Sequence, residues 1–420
     1  MGKIKNTACI ILAAGRGTRM KSSLPKVLHK ISGKAMIEYV LELIRPFGFK
    51  PVILVTGYKG KEVAQFAKGA KIVEQRRLLG SGDAVMKTRA VLARFQGDVV
   101  ILYGDTPLIQ QDTLRQLIER HKSAEAACTL LTARLKNPDS YGRILRDDSG
   151  NIVNIVEETD VSVWDKVINE VNVGAYCFNA KSLFGALKKV KMNSKKREYY
   201  LTDVINILRE NNLKIESLCT TNEEEAIGIN SRQELSEAER IVRNRALKKF
   251  LDDGVTIIDP LSTYIDITCT IGRDTVIKPY TIIEKNVKIG ANCTIGPFAR
   301  IRPGTRLSDR VEIGNFVELT RSDIGSGTKI KHHSYVGDAV IGKNVNIGAG
   351  TITANYDGKK KSKTIIKDDA FIGSGTIFIA PLTVGKGAIT GAGSVLTRKT
   401  RVPDNCVVIG IPARLLKKKQ

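Results

Sequence analysis

Short apolar runs alternate with segments of helical periodicity through the first half of the chain. Residues 8–12, 52–55 and 98–103 have the pattern of buried strands, whereas apolar side chains recur at helical spacing across residues 36–44. This alternation predicts a doubly wound, mostly parallel α/β sheet of the Rossmann-like type. In such folds, ligands bind outside the carboxyl ends of the strands.

A different periodicity governs the second half. Aliphatic residues fall at every sixth position from residue 265 to residue 319, and the pattern resumes from 366 to 396 after one-residue slips and a polar loop. Hexapeptide repeats of this kind build a β-helix, with three repeats in each triangular coil and the periodic side chains stacked inside. Between the two halves, apolar positions recur at helical spacing amid charged residues, which predicts a linker helix.

The two periodicities together predict the domain organisation. We expect an α/β domain over residues 1–232, a linker helix over 233–254 and a left-handed parallel β-helix over 255–420. A solenoid contacts only its own neighbouring coils, so its sides remain open for packing against other subunits.

Composition narrows the classes of function. The 420 residues carry a formal net charge of +24, which attracts polyanions. Aromatic residues make up only 5% and show no interleaving with basic ones, so we expect no nucleic-acid partner. The seven scattered cysteines, the absence of a signal peptide and the absence of an apolar run near 18 residues predict a cytoplasmic protein without a membrane segment.

The loop after the first predicted strand carries the first candidate chemistry. Its sequence, LAAGRGTRM at residues 12–20, contains glycines that let the backbone turn sharply and approach a ligand. Successive N–H groups in such a loop bind anions, and Arg16, Arg19 and Lys26 add positive charge. The loop lacks the Gly-Lys-Ser/Thr end of a P-loop, and Met20 stands at the third glycine of a dinucleotide fingerprint. It therefore predicts a polyphosphate site, with a purely structural turn as the alternative.

Asp105 follows the predicted strand at residues 98–103, on the same edge as this loop. A carboxylate there suits Mg²⁺, whose shell water and phosphate oxygens can complete. A turn-forming aspartate ahead of Pro107 is the other interpretation. The neighbouring phosphate loop favours the metal site.

Several weaker motifs occur in a fixed order along the first half: PKVLH at 25–29, Gln75 with LGSG at 79–82, YGDTPL at 103–108, YGRI at 141–144, Glu157, Asn172, EYYLTD at 198–203 and GINSR at 228–232. With LAAGRGTRM, they cover residues 7–232. The set resembles the sugar-1-phosphate nucleotidyltransferase family, and in detail its bifunctional N-acetylglucosamine-1-phosphate uridylyltransferase/glucosamine-1-phosphate acetyltransferase members.

This resemblance implies attack of a sugar-1-phosphate oxygen on the α-phosphorus of UTP, with release of pyrophosphate. It implies that Lys26 contacts phosphates, that Arg19 helps to neutralise charge, and that Asp105 and Asn230 hold Mg²⁺. The residues that would bind the nucleotide and the sugar are Leu12, Ala13, Ala14, Gly15, Lys26, Gln75, Gly80, Ser81, Tyr103, Gly104, Gly142, Glu157 and Asn172. Positioning and charge neutralisation suffice for such a reaction, so no covalent nucleophile is expected.

The candidate chemistry of the second half lies where the repeat is interrupted. His332 and His333 belong to KHHSY at residues 331–335, and a polar loop follows at 353–361. A histidine on a rigid coil can accept a proton from an amine that attacks a thioester, whereas two surface histidines without a role are the alternative.

Residues 295–396 resemble the acetyltransferase half of the same bifunctional family, through IGPFARIRPGT, GNFVE, HHSYVGD, NVNIGAGTITANYDGK and APLTVGKG. The resemblance implies that His332 is the general base. The residues implied to bind the sugar phosphate or acetyl-CoA are Arg302, Tyr335, Asn346, Ala349, Asn355, Tyr356, Lys361, Ser374 and Ala392. Two features depart from the family. Thr320, followed by Arg321, stands where a phosphate-binding lysine is expected, and the C-terminal segment at residues 402–414 looks more like general hexapeptide sugar acyltransferases.

The resulting hypothesis is a homotrimeric enzyme that makes UDP-N-acetylglucosamine from glucosamine-1-phosphate, acetyl-CoA and UTP, through N-acetylglucosamine-1-phosphate. One alternative is a nucleotidyltransferase whose solenoid only trimerises or regulates. A second is a non-catalytic scaffold of the same two-domain design, against which Lys26 and Asp105 argue.

Overall fold

A computed structural model describes residues 4–416 of the chain, which divides into two compact units, Met1–Ile241 and Val242–Gln420. The first unit contains eleven strands among its described residues: β1 (Thr7–Ala13), β2 (Lys30–Ile31), β3 (Lys34–Ala35), β4 (Val52–Thr56), β5 (Lys71–Glu74), β6 (Asp98–Tyr103), β7 (Cys128–Arg134), β8 (Arg143–Arg146), β9 (Ile152–Val156), β10 (Glu170–Asn179) and β11 (Ile215–Thr220).

Helices separate most of these strands. The α-helices are α1 (Met36–Ile44), α2 (Gly60–Ala64), α3 (Ser81–Lys87), α4 (Gln111–Ser123), α5 (Ala180–Leu187), α6 (Asp203–Glu210) and α7 (Arg232–Asp252). Short 3₁₀ turns occur at Thr18–Met20, Lys26–Leu28, Arg45–Phe47, Thr88–Ala90, Glu158–Asp160, Asp165–Val167 and Glu223–Ala226.

The main sheet has the strand order β11-β7-β10-β6-β1-β4-β5, with β8 and β9 as a hairpin attached to β10. Pairing is parallel except where β10 runs antiparallel to β6, β7 and β8 and within the hairpin itself. The predicted doubly wound, mostly parallel sheet is therefore confirmed. Since β1 and β6 are parallel neighbours, with Leu12 opposite Tyr103, their carboxyl ends meet at one edge.

Both faces of this sheet are buried. Along β1, Cys9 and Ile11 belong to one apolar cluster, whereas Ala8, Ile10 and Leu12 belong to the cluster on the other face. Alternate side chains of a strand point to opposite faces, so a continuous apolar run is what a strand covered by helices on both sides requires.

The second unit is a parallel β-helix with three faces. Face 1 consists of Thr256–Ile257, Val276–Ile277, Thr294–Ile295, Glu312–Asn315, Lys329–His332, Asn346–Ile347, Phe371–Ile372, Ile389–Thr390, Val407–Gly410 and Ala413–Leu415. Face 2 consists of Tyr264–Ile265, Ile282–Ile283, Arg300–Ile301, Glu318–Thr320, Tyr335–Gly337, Ile352–Ala354, Ile377–Ile379 and Val395–Leu396. Face 3 consists of Thr270–Ile271, Lys288–Ile289, Arg306–Leu307, Asp323–Ile324, Ala339–Ile341, Thr364–Ile366, Leu382–Val384 and Arg401–Val402.

Each coil places its periodic aliphatic residues inside. Ile277, Ile295 and Ile313 are successive partners in register on face 1, and all three are buried. The one-residue slip before Ile324 shortens one coil, yet Ile324 still pairs with Leu307 and stays buried. The predicted hexapeptide β-helix is confirmed.

The predicted linker helix corresponds to α7, and the boundary between the two units falls within it, after Ile241. Its last turns carry Leu247 and Phe250, which join the core of the β-helix. Across residues 4–416, none of the helices combines the length and the apolar character that a bilayer crossing requires.

Candidate active sites

A pocket of about 240 Å³ lies at the carboxyl ends of β1 and β6. Sequence reasoning anticipated most of its lining: Leu12, Ala13, Ala14, Gly15, Lys26, Gln75, Gly80, Ser81, Tyr103 and Asp105. It missed four further lining residues, Val27, Leu78, Ala84 and Glu198. The parallel pairing of β1 with β6 explains why two segments about 90 residues apart share one pocket.

The glycine-rich loop makes room for Lys26. Gly17 has a φ of +67°, in the left-handed region, and a Cβ added there would lie only 2.5 Å from the Cβ of Lys26. A residue with a side chain would therefore displace the lysine as well as strain the backbone. Gly17 therefore leaves free the space that the Lys26 side chain occupies.

Lys26 and Asp105 line this pocket and meet Asn230, which does not line it. The Lys26 ammonium forms an ion pair with the Asp105 carboxylate and donates a hydrogen bond of 2.8 Å to Oδ1 of Asn230. Both charged side chains are largely shielded from solvent. Two oxygen ligands thus face one cationic group, at the place where sequence reasoning predicted a metal site.

Backbone contacts hold Asn230 beside Asp105. The N–H of Ile229 donates to the carbonyl oxygen of Asp105 at 2.9 Å. At the start of α7, the N–H groups of Asn230 and Ser231 donate to one carboxylate oxygen of Glu234, at 2.7 and 2.6 Å. This capping carboxylate fixes the turn that carries Asn230.

Arg232 and His29 support the glycine-rich loop at its Met20 end. The Arg232 guanidinium donates to the carbonyl oxygen of Met20 at 3.3 Å and lies 3.2 Å from Nδ1 of the buried His29. Burial, followed by the charge of Arg232, lowers the pKa of His29, so the imidazole is neutral near pH 7. The PKVLH and GINSR motifs therefore act together to support the loop.

The structure does not bring Arg19 into the pocket. Arg19 is exposed in the 3₁₀ turn Thr18–Met20, and neighbouring Arg16 stacks on the Tyr58 ring at 5.4 Å. The catalytic role predicted for Arg19 thus stays a prediction.

Another part of the pocket wall depends on the close approach of the Gly80 backbone to the backbone of Tyr199. Gly80 has a φ of +97°, and a Cβ there would lie 2.5 Å from the carbonyl oxygen of Tyr199. Buried Gln75 donates to the carbonyl oxygen of Gly80 at 3.0 Å and to Asp83 at 2.8 Å. Ser81 Oγ accepts the N–H of Leu201 at 3.0 Å. These contacts bring the EYYLTD segment to the LGSG turn.

A second pocket, of about 250 Å³, adjoins the first and shares Tyr103 and Asp105 with it. Its lining includes the predicted residues Gly142, Glu157, Asn172 and Asn230, with Thr106, Ser140, Tyr141, Val173, Gly174, Ala226, Gly228 and Glu234. Gly104 does not line either pocket. Its N–H donates to the carbonyl oxygen of Leu12 at 2.9 Å, and a Cβ there would press against Val27 at 3.0 Å.

Neighbouring side chains fix the polar groups of this second pocket. Thr202 donates a hydrogen bond of 2.6 Å to Glu157, and burial raises the pKa of the Glu157 carboxyl. The Asn172 amide donates to the Tyr176 hydroxyl at 2.7 Å. Asp203, which sequence reasoning did not single out, has its pKa raised to about 6 by burial and then by Glu157 and Asp160.

In the β-helix, His332 ends a face 1 strand and lines a shallow pocket of about 210 Å³. Polar groups beside it are Lys278, Glu312, Asn315 and Lys331. Its Nδ1 lies 3.2 Å from Oδ1 of Asn315 on the preceding coil. None of the other residues predicted for acetyl transfer lines this pocket.

Those other residues occupy the flanking faces and the polar loop. Tyr335 lies on face 2 and Asn346 on face 1, while Asn355 is buried and donates to Asp338. Tyr356 and Lys361 are exposed and form an isolated bridge across the loop.

Two of the arginines are held by carboxylates. Arg302 forms an ion pair of 2.8 Å with Glu318. Arg321 makes a bidentate pair with Asp338, at 2.7 and 2.8 Å, and also donates to buried Thr320 at 3.0 Å. The Arg321 hydrogen bonds lower the pKa of Asp338. Arg321 is thus already engaged, directly after Thr320, the position where the family is expected to present a lysine.

The corner between faces 1 and 2 carries large stacked rings up to His333 and glycines on the coils that follow. On one side, the rings of Tyr280, Phe298, Phe316 and His333 stack in a column with centroid spacings of 4.9, 5.2 and 5.0 Å. On the following coils, glycines with positive φ occupy the corner: Gly350, Gly375 and Gly393. The predicted residues Ala349, Ser374 and Ala392 directly precede these glycines. A strip without large side chains therefore begins next to His332.

The fold and these sites define a class of protein, a nucleotidyltransferase joined to a hexapeptide-repeat transferase. The MobA-like NTP transferase domain family matches residues 9–201. The bacterial transferase hexapeptide family matches residues 268–303, and the hexapeptide repeat of succinyl-transferase matches residues 363–398.

Relatives of nearly the same length identify the family more narrowly. The bifunctional protein GlmU of Geobacillus sp. (strain WCH70) is 44% identical over 95% of this chain and 94% of the relative. The protein of the same name from Syntrophomonas wolfei is 41% identical over 96% of this chain and 97% of the relative. The chain belongs to the bifunctional GlmU family. It is a bifunctional transferase that joins a uridylyltransferase to an acetyltransferase, as the motifs predicted.

Proposed function

We propose that the chain makes UDP-N-acetylglucosamine in two steps. Acetyl-CoA acetylates the amine of glucosamine-1-phosphate, and UTP then uridylylates the N-acetylglucosamine-1-phosphate so formed. The observation that carries the second step is the convergence of Lys26, Asp105 and Asn230 where two pockets meet. A cationic side chain and two oxygen ligands at this junction suit the meeting of two anionic substrates.

In the proposed uridylyl transfer, UTP occupies the first pocket and the sugar phosphate the second. An oxygen of the sugar phosphate attacks the α-phosphorus of UTP, the bond from that phosphorus to the bridging oxygen breaks, and pyrophosphate leaves. Lys26 neutralises charge on the phosphates, and the exposed Arg19 contributes further positive charge. Buried Gln75, Gly80 and Ser81 contact the nucleoside, while Glu157 and Asn172 orient the sugar.

Asp105 and Asn230 present oxygens that fit Mg²⁺. Their convergence on the Lys26 ammonium supports a shared cation position. Within residues 4–416, no group of three His, Cys, Asp or Glu side chains could hold a metal, so water and substrate phosphate would supply the other ligands. When bound, Mg²⁺ neutralises charge on the transferring phosphoryl group.

In the proposed acetyl transfer, His332 takes a proton from the sugar amine as the nitrogen attacks the thioester carbonyl. The C–S bond then breaks, and the leaving sulfur of CoA takes the proton that His332 accepted, so CoA leaves as a thiol. The glycine corner at Gly350, Gly375 and Gly393 supports an extended donor along the solenoid, flanked by Ala349, Ser374 and Ala392. The acceptor contacts proposed are Arg302, Tyr335, Asn346, Asn355, Tyr356 and Lys361.

The assembly and compartment belong to the same proposal. We expect a cytoplasmic homotrimer without a nucleic-acid partner. All seven cysteines are free thiols, which fits a reducing compartment.

One assay separates the two activities. The purified full chain receives glucosamine-1-phosphate, acetyl-CoA, UTP and Mg²⁺, and thiol and pyrophosphate release are followed separately. Both are expected. His332→Ala should abolish thiol release but keep pyrophosphate release from pre-acetylated sugar, whereas Lys26→Ala or Asp105→Ala should lower pyrophosphate release from pre-acetylated sugar by at least about 100-fold. Pyrophosphate release from pre-acetylated sugar without any thiol release would instead favour a solenoid that only trimerises or regulates. Near-normal pyrophosphate release in either the Lys26 or the Asp105 variant would refute these roles.

A further inference from the structure

Asn315 contacts His332 and His333 through its side chain and its backbone, respectively. Asn315 and His332 are partners in register on adjacent strands of face 1. The side-chain Oδ1 of Asn315 lies 3.2 Å from Nδ1 of His332, and its carbonyl oxygen accepts the N–H of His333 at 3.1 Å. Two consecutive residues of the later coil are therefore fixed by one residue of the earlier coil.

Phe316 adds a further contact to His333. Its ring stacks on the His333 ring with a centroid distance of 5.0 Å, and the next rings in the column support Phe316 in turn. His333 has a φ of +39°, a left-handed conformation that side-chain-bearing residues seldom adopt. The stacked ring helps to hold the backbone in that conformation, directly after His332.

We propose that Asn315 and Phe316 are positioning residues for His332, with Asn315 selecting the imidazole tautomer and Phe316 setting the direction of the ring. The Oδ1 of Asn315 accepts the hydrogen on Nδ1, and the lone pair on Nε2 stays free to take the proton of the attacking amine. The inference rests on the proposed role of His332 as general base.

Charged side chains surround His332, so it matters that its hydrogen-bond partner, Asn315, is neutral. Lys278, Glu312 and Lys331 face it across the shallow pocket, and Glu312 is already paired with Lys331 at 2.7 Å and with Lys329 at 3.1 Å. His333, the next residue in the chain, is a further titratable neighbour. Asn315 can thus select the tautomer without adding a negative charge that would stabilise the imidazolium.

The test uses the full chain with ¹⁵N-labelled histidine. The sequence contains only four histidines, so a His332→Ala spectrum assigns the signal. In the parent protein, His332 should show the tautomer with hydrogen on Nδ1. Asn315→Ala should shift it towards the other tautomer and lower kcat for acetyl transfer at least about 10-fold. Asn315→Asp keeps an acceptor, so it should retain the tautomer but move the acid limb of the pH–rate profile to higher pH. Phe316→Ala should lower kcat several-fold without moving that limb.

Uridylyl transfer by the same polypeptide is the internal control, and it should be unchanged in all three variants. The inference is overturned if Asn315→Ala leaves both the tautomer and kcat unchanged, or if Asn315→Asp leaves the acid limb in place. Retention of acetyl transfer in His332→Ala would instead remove the general base from the proposed function. The spectra would still report whether Asn315 sets the tautomer, so the two failures are distinguishable.

Discussion

At the scale of single residues, the second pocket of the α/β unit concentrates carboxyl groups in a partly buried region. Glu157 lines the pocket and accepts a hydrogen bond from Thr202, and Asp203 follows directly at the start of α6. Burial raises the pKa of both carboxyls, and for Asp203 the value reaches about 6. Ionising these groups therefore costs folding free energy, which a site for a polar ligand can tolerate.

Asp203→Asn should stabilise the protein at neutral pH. The folded protein holds a proton on Asp203 up to about pH 6, whereas the unfolded chain releases it near 3.8. The contribution of Asp203 to stability thus falls as pH rises through this window and stays low above it. Because the group is partly exposed, we expect a gain of about 1 kcal/mol at pH 7.5, shrinking to about a third of that at pH 4.5.

Thermal unfolding midpoints at the two pH values measure this effect. The matched control is Asp148→Asn, at an exposed position in the β8–β9 hairpin loop, which should leave the midpoint unchanged. A stabilisation of equal size at both pH values would show that the carboxyl of Asp203 is not the cause.

At the scale of elements, the glycine-rich loop makes room for Lys26, the lysine proposed to neutralise charge on the phosphates. Gly17→Ala places a Cβ within 2.5 Å of the Lys26 Cβ and forces alanine into a left-handed conformation that costs about 1–2 kcal/mol. The lysine should leave Asp105 and Asn230, and pyrophosphate release should fall at least about 10-fold while thiol release continues.

Gly185→Ala is the comparison for this loop variant. Gly185 lies within α5, and an added Cβ would meet nothing within 4 Å, so activity should be retained and the helix slightly favoured. Near-normal pyrophosphate release in Gly17→Ala would contradict the idea that the loop glycine positions Lys26.

Local patterns predicted the elements well. The strand expected at residues 98–103 is β6, and the helix expected at 36–44 is α1, because apolar periodicity alone determines which face each element buries. The sixfold repeat likewise predicted the interior of each face, since its periodic aliphatic residues pair in register from coil to coil. The sequence also located most of the first pocket, because a parallel sheet brings its strand ends together.

Contacts between distant segments were not predictable in the same way. Glu198 reaches the first pocket because Gly80 allows the backbone of Tyr199 to approach, across more than 100 residues of sequence. The pairing of Arg321 with Asp338 depends on which side chains neighbouring coils bring together. The aromatic column was detectable, since Tyr280, Phe298 and Phe316 recur every 18 residues, the length of one coil.

At the scale of the whole molecule, the outward side chains of the β-helix differ between its faces. In the later coils, face 1 presents Phe371, Ile389 and Val407, and face 2 presents Ile352, Ile377 and Val395. Face 3 mixes charged and apolar outward residues: Lys288, Arg306, Asp323 and Arg401 are charged, whereas Val340 and Ile365 are apolar and exposed, so charges interrupt its apolar column. Apolar columns on two faces suit a contact in which face 1 of one copy packs on face 2 of the next, and a closed ring of such contacts leaves face 3 in water.

This arrangement predicts a trimer whose acetyl-transfer site needs a neighbouring copy. The corner between faces 1 and 2 carries His332, His333 and the glycine strip, so the proposed contact would enclose it. Light scattering at micromolar concentration should give three times the 46.0 kDa chain mass. Phe371→Glu, which puts a charge on the apolar column of face 1, should yield monomers that lose thiol release but keep pyrophosphate release. Arg306→Glu on face 3 should remain trimeric with both activities, whereas a monomeric parent protein, or a monomeric Phe371→Glu that still releases thiol, would exclude a site completed by a second copy.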